Sequence, residues 1–302
     1  MHSIISIRLF DFRRKSAILF LFVVLSAVSC VKLPVTHFSQ LASTTKLIST
    51  STGTTYHQVE EIERDYFILQ AFYAPSIKKK SFHPTANGIN VDITSNLESH
   101  ANALSMISTY MQILYELSAK DFGKGLDSAS GDLGSSAQSF SGKEFKLSTS
   151  QSTSIGFAFG GIADLAGKRI VYSKRLKALK TAMDSANKYI DTLTKLLIQD
   201  NKILIGTITT LRDQYLSQIN GTRSHCDSTG RFILTMQAAK FMDDVTKTEQ
   251  NLTSIDQALE KLPAAHKAIR LSLDSSQKAV PALKAFIAEA KSLGPIYSNI
   301  YK

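Results

Sequence analysis

The sequence predicts an all-α protein, an elongated antiparallel helical bundle containing a long coiled-coil-like hairpin. Three observations carry this expectation. Of 302 residues, 43% are hydrophobic, so there is ample apolar surface to bury, while only six prolines interrupt the chain. Apolar residues recur at steps of four and three over two stretches of more than 40 residues. A short polar connection, Gly221 to Ser228, separates those stretches, and two long helices so joined must fold back on one another.

The first arm is read over residues 168–220, with Leu179, Met183, Ala186, Ile190, Leu193, Leu197, Leu204, Ile208 and Leu211 on its apolar seam. The second is read over 229–293, with Leu234, Ala238, Phe241, Val245, Leu252, Ile255, Leu259, Leu262, His266 and Ile269. At 1.5 Å per residue each arm would be about 80–90 Å long. Pairing through the connection puts Leu204 near Val245 and Leu197 near Leu252, which sets Asp200 opposite Thr248 as a polar layer. The alternative is that Asp200 turns to solvent beside Lys202. Pro263 and Pro281 predict bends or the starts of successive helices, and Gly294-Pro295 a stop.

In the N-terminal half, Phe38, Leu41, Thr45, Ile48, Thr52, Val59, Ile62, Tyr66, Leu69 and Tyr73 keep helical spacing, predicting a helix over 36–73 that Pro75 closes. A basic loop follows at Lys78-Lys79-Lys80. A helix over 94–121 is expected from Leu97, Leu104, Ile107, Met111, Leu114 and Leu117 on one face. Residues 123–154 are rich in Gly and Ser, with a short helix expected over 126–140. No linker separates two cores, so 30–302 is read as one elongated helical domain.

Residues 1–29 read differently. Arg8, Arg13, Arg14 and Lys15 precede an apolar run from Ala17 to Val28, the pattern of a secretory signal peptide, and its h-region is too short to span a bilayer. The following Leu25-Ser26-Ala27-Val28-Ser29-Cys30 resembles the lipobox of bacterial lipoproteins, although Ala27 and Val28 depart from the commonest pattern. The resemblance implies cleavage before Cys30 and acylation of its thiol, anchoring the mature chain to a membrane in the envelope of a double-membraned bacterium. Val31-Lys32-Leu33-Pro34 lacks the acidic residues that often accompany surface export, which favours a periplasm-facing anchor over cell-surface display. With Cys30 acylated, Cys226 would be the one remaining thiol, leaving no internal disulfide.

The formal net charge of +10 falls to about +7 without the signal peptide, so an anionic envelope polymer or an unknown envelope protein is the expected partner. Nucleic acid is excluded by the address and by the lack of any binding motif. No cofactor fingerprint is present, and no residue set matches a catalytic constellation. Neither catalytic nor metal residues are assigned. His57 and Glu61 lie one turn apart without a third ligand, His225-Cys226-Asp227 reads as a polar turn, and His266 as a hydrogen-bonded core residue.

The segment from Ser154 to Gly167 is apolar and glycine-rich, with Ile155, Phe157 and Phe159, and is followed by Lys168, Arg169 and Arg175. In an elongated helical bundle such a segment looks like the hydrophobic connection of α-helical pore-forming toxins, which implies contact with lipid. Core packing is the favoured reading, because the segment is short and carries Asp164. The expectation is a non-enzymatic envelope lipoprotein acting as spacer, scaffold or partner-binding protein. Arg223, His225 and Arg231 at the hairpin tip are its leading contact residues, and the basic group from Lys168 to Lys180 forms a second patch. A membrane-active helical protein and an immunity or inhibitor lipoprotein are the alternatives.

Overall fold

The computed structural model describes residues 33–73, 85–86, 89–90, 93–119, 124–140, 145, 147–167, 174–274 and 279–294. Residues 34–302 form a compact unit separate from 1–33. The fold is all-α, as the periodicity predicts. In chain order the helices are α1 (Val35–Tyr73), α2 (Ile93–Ser118), α3 (Lys124–Ser139), α4 (Thr149–Gly167), α5 (Arg175–Arg223), α6 (Ser228–Ser272) and α7 (Val280–Lys291). A two-residue antiparallel pair, Thr85–Ala86 with Ile89–Asn90, lies between α1 and α2.

Helix α1 buries Phe38, Leu41, Ile48, Val59, Ile62, Tyr66 and Leu69, the residues its spacing singles out. Its buried threonines are accommodated because each hydroxyl donates to the carbonyl one turn back: Thr45 to Leu41, Thr52 to Ile48 and Thr55 to Ser51, all at 2.8 Å. Helix α2 packs against α1 and α3 and also meets α4 and α5. Accordingly Ala103, Leu104, Met106, Ile107, Tyr110, Met111, Ile113 and Leu114 are all fully buried, more than the single face expected. A helix apolar on most sides belongs in the middle of a bundle.

Helices α5 and α6 lie side by side and antiparallel, each about 70 Å long and so shorter than the 80–90 Å expected. Residues 168–173, assigned to the first arm, lie outside the described residues. The second arm is not one helix. It runs through Pro263 but ends at Ser272, and α7 starts afresh with Pro281 in its first turn, packing against α6 and α1.

The pairing register also differs from expectation. Asn187 meets His266, Asn201 meets Asp256, Thr209 meets Glu249, and Tyr215 stacks on Phe241 with ring centroids 3.9 Å apart. Each residue of α5 therefore faces a residue of α6 roughly one heptad beyond the one expected. A heptad shift returns apolar residues to apolar residues, so the seam alone cannot choose between the two registers. Asp200 does not pair with Thr248, whose hydroxyl donates to its own Asp244 carbonyl at 2.8 Å. The polar layer sits one residue further on, at Asn201.

Helix α4 replaces what the sequence presents as a glycine-rich connection. Its start is fixed by a capping box: the Gln151 backbone N–H donates to Ser148 Oγ at 3.3 Å, and the Ser148 N–H donates to Gln151 Oε1 at 2.9 Å. Phe159 then packs edge-on against Tyr110 of α2, with ring centroids 5.4 Å apart. Gly156 faces α3 so closely that a Cβ there would stand 3.1 Å from the Ala137 carbonyl oxygen.

Candidate functional site

Three parts of the molecule concentrate chemistry: the glycine-rich α3–α4 pair, a polar layer inside the bundle, and the end of the α5–α6 hairpin. The first is largely structural. Ile155 and Phe159 are buried, as the core reading of this segment expects, so they are not contact residues in this fold. Phe157 is 76% exposed and stands on the rim of an open groove of about 1010 Å³ lined mostly by Gly, Ser, Thr and Ala of α3 and α4. Among the described residues, no helix is long and apolar enough to cross a membrane.

The basic patch beside this segment is corrected in part. Arg175 is not on the surface: its side chain is 1% exposed, and its Nη1 donates to the Ala119 carbonyl at 2.7 Å. Its spacing from Leu179 and Ala182 places it on the inward face of α5, where the guanidinium satisfies the end of the α2 backbone. Lys180 is paired with Asp274. Lys168 and Arg169, like Cys30, lie outside the described residues.

The internal layer joins four helices. Tyr56 Oη of α1 donates to Asn201 Oδ1 of α5 at 2.9 Å, and Asn201 Nδ2 donates to Asp256 Oδ1 of α6 at 2.7 Å. Beside them, His100 Nε2 of α2 lies 2.8 Å from Asp200 Oδ2, and the His100 ring rests 4.8 Å from that of Phe145. Burial drives the Asp256 carboxyl up to about 7; the Asn201 amide and Lys202 oppose the shift and Glu260 adds to it. Burial likewise holds the Tyr56 hydroxyl far above its ordinary value. This arrangement fixes register; the layer is packed with side chains and lines none of the surface grooves at the two other sites.

A second buried group behaves as the sequence suggests. His266 is fully buried, with Nε2 2.9 Å from Tyr110 Oη and Nδ1 3.4 Å from Asn187 Oδ1. Its partner across the seam is Asn187. His57 is exposed beside Glu60 and Glu61. Among the described residues, no three potential ligands gather into a metal site.

At the hairpin end, α5 stops at Arg223 and α6 is capped by Asp227, whose Oδ1 accepts from the Gly230 N–H at 2.7 Å. Gly230 fits closely there: a Cβ would stand 3.0 Å from Cys226 Cβ and 3.1 Å from Asp227 Oδ1, so a side chain would push on both. Arg231 Nε donates to the Cys226 carbonyl at 2.9 Å, and Cys226 Sγ points to the Thr222 carbonyl. The three ligand types of His225-Cys226-Asp227 thus diverge, leaving Arg223, His225 and Arg231 exposed as expected for a tip. Replacing Asp227 with Ala should destabilise the protein by about 1 kcal/mol in urea unfolding, by loss of the cap.

Sequence reasoning missed the apolar part of this end. Phe232, Ile233 and Met236 are 67%, 50% and 58% exposed, although α6 turns Phe241 and Val245 into the core only two to three turns later. Ile68 of α1, 58% exposed, joins Ile233 in lining a groove of about 440 Å³. The signal was present: Phe232, Ile233 and Met236 fall off the seam that Leu234, Ala238 and Phe241 define.

The fold and this site define an all-α bundle with a long hairpin whose end carries exposed apolar and basic side chains. Comparison with protein-family models, curated proteins and solved structures finds no match.

Proposed function

We propose that the chain is a non-enzymatic envelope lipoprotein, tethered through Cys30 and facing the periplasm, whose helical unit holds the hairpin end away from its anchor as a contact surface. One observation carries this reading. Tyr56 meets Asn201 and Tyr66 meets Gln214, so α1 runs parallel to α5 and the chain enters the bundle at the end opposite the hairpin connection. At 1.5 Å per residue that separation is about 60 Å. Cys30 precedes the bundle's first residue, Pro34, by four positions. An anchor there and a contact surface at the opposite end are the two parts a spacer needs.

The interior supports the same reading. Polar layers at Asn201 and His266 tie α1, α2, α5 and α6 into one register, and a defined register gives a spacer a defined length. A membrane-active role for α4 would require Phe159 and Ile155 to leave the core and give up the contact with Tyr110. An immunity or inhibitor role would use the same hairpin end and differ in what it meets.

Changing Cys30 to Ser should move the protein from the membrane fraction to the soluble fraction and abolish incorporation of labelled fatty acid, with the helical circular-dichroism spectrum retained. Continued membrane residence would sink the anchor. A photo-crosslinking side chain at position 225 should form adducts in intact cells, whereas one at the exposed Lys195, midway along α5, should not.

A further inference from the structure

From the apolar and basic character of the hairpin end we infer that it docks, end-on, onto a bilayer surface bearing anionic phospholipid head groups. The inference rests on the hairpin end being the contact end, and it supplies the partner. Three features of the structure converge on it.

The first is where the apolar side chains sit. At 100° per residue, Phe232, Ile233 and Met236 occupy the side of α6 opposite Leu234, Ala238 and Phe241, which face α5 and the core. They are therefore not the fringe of the core. They stand on the outer face of the first three turns of α6, which span about 14 Å along the helix, and Ile68 extends the same apolar surface onto α1. Phe232 and Met236 are themselves about 6 Å apart along the axis, within the 5–10 Å to which apolar side chains of an interfacial helix enter a bilayer.

Charge is the second feature. Between Gln214 and Met242 the chain carries Arg223, Arg231, Lys240 and His225, against a single carboxylate, Asp227. Asp227 is committed to the N-terminus of α6 through its bond to the Gly230 N–H. The end of α1, from Tyr66 to Tyr73, carries no charge at all. The nearest acidic residues, Asp65 in the groove beside Ile68 and Ile233 and Asp244 further along α6, both lie against Lys240, at 3.9 and 2.8 Å, so the cationic character of the end rests on Arg223 and Arg231. Long cationic side chains flanking apolar ones suit an interface in which the former reach lipid phosphates while the latter enter the acyl boundary.

The third is what the same charges disfavour. A second copy docking patch to patch would bring Arg223 and Arg231 against their own counterparts, while the nearby carboxylates are engaged, Asp227 with the Gly230 N–H and Asp65 with Lys240. Anionic head groups complement the surface.

The test uses residues 34–302, the compact unit that contains every described core residue, with vesicles of phosphatidylglycerol or phosphatidylcholine in a sedimentation assay. The protein should bind phosphatidylglycerol vesicles about tenfold more tightly than phosphatidylcholine vesicles at low salt, and lose that preference at high salt. Phe232→Asp combined with Met236→Asp should weaken binding about tenfold or more. Arg223→Gln combined with Arg231→Gln should remove the lipid preference. Because the four side chains are exposed, unchanged circular dichroism and melting should accompany both pairs. Equal binding to the two lipids, no binding, or indifference to both variant pairs would overturn lipid docking. So would self-association in sedimentation equilibrium that Phe232→Asp abolishes, which would give the patch to a second copy. If vesicles are not bound while position 225 still crosslinks in cells, lipid docking falls and the contact end stands; if neither occurs, both fall.

Discussion

The Asp256→Asn protein should resist urea more strongly than the parent at pH 8 and equally at pH 4. Asp256 is 7% exposed and lies beside Asn201, Tyr56 and the apolar seam of α6. Burial raises its carboxyl from an ordinary value near 4 to about 7. The folded state thus holds a proton that the unfolded state releases between those two values, and stability contributed by the neutral acid is present below pH 4 and lost as the pH rises through 7. Above pH 8 the parent must keep an ionised carboxylate inside the bundle. The asparagine presents the same Oδ1 to Asn201 Nδ2 and carries no charge. The gain at pH 8 should be on the order of 4 kcal/mol, because each tenfold difference in proton affinity between the folded and unfolded chain is worth about 1.4 kcal/mol and the values differ by about three such steps. An advantage for Asp256→Asn that is independent of pH would show that ionisation is not its cause.

How much of this was legible in the sequence depends on what the residue pattern distinguishes. The helical seams of α1, α5 and α6 were, because leucines and isoleucines at three- and four-residue steps have one economical arrangement. The register was not, since a heptad displacement preserves every apolar contact. The polar layer was half legible: the step of four from Leu197 and three to Leu204 lands on Asn201, and only counting to Asp200 instead placed it one residue early. Asp256, at the same steps between Leu252 and Leu259, was hidden by the apolar Ile255 beside it. Helix α4 was masked by its glycines, whose low propensity outweighed the Ser148-Thr149-Ser150-Gln151 capping box. At the hairpin end the basic residues stand out in the sequence and the apolar ones do not. Seams draw attention to what is buried, and Phe232, Ile233 and Met236 matter because they lie off the seam.

His266 supplies the opposite pH dependence, and the pair makes a sharper prediction than either alone. Its ring is fully buried; Nδ1–H faces Asn187 Oδ1, and Nε2 accepts from the Tyr110 hydroxyl. Burial holds it neutral down to about pH 3, although the carboxylate of Asp184 pulls the other way. Here the unfolded state takes up the proton first, at its ordinary value of about 6.5, so stability is present above that value and lost as the pH falls towards 3. Between pH 4 and 6.5 the folded protein holds one extra proton at Asp256 and lacks one at His266, and the two slopes cancel. Removing either group should unmask the other. Relative to the parent, the urea midpoint of Asp256→Asn should climb from pH 4 to 7, whereas that of His266→Leu should climb as the pH falls from 6.5 to 3. His266→Leu also leaves the Tyr110 hydroxyl without its acceptor, so it should start about 1–3 kcal/mol below the parent at pH 7 and close that gap on acidification. Parallel pH profiles for the parent and both variants would show that neither buried group exchanges its proton on unfolding.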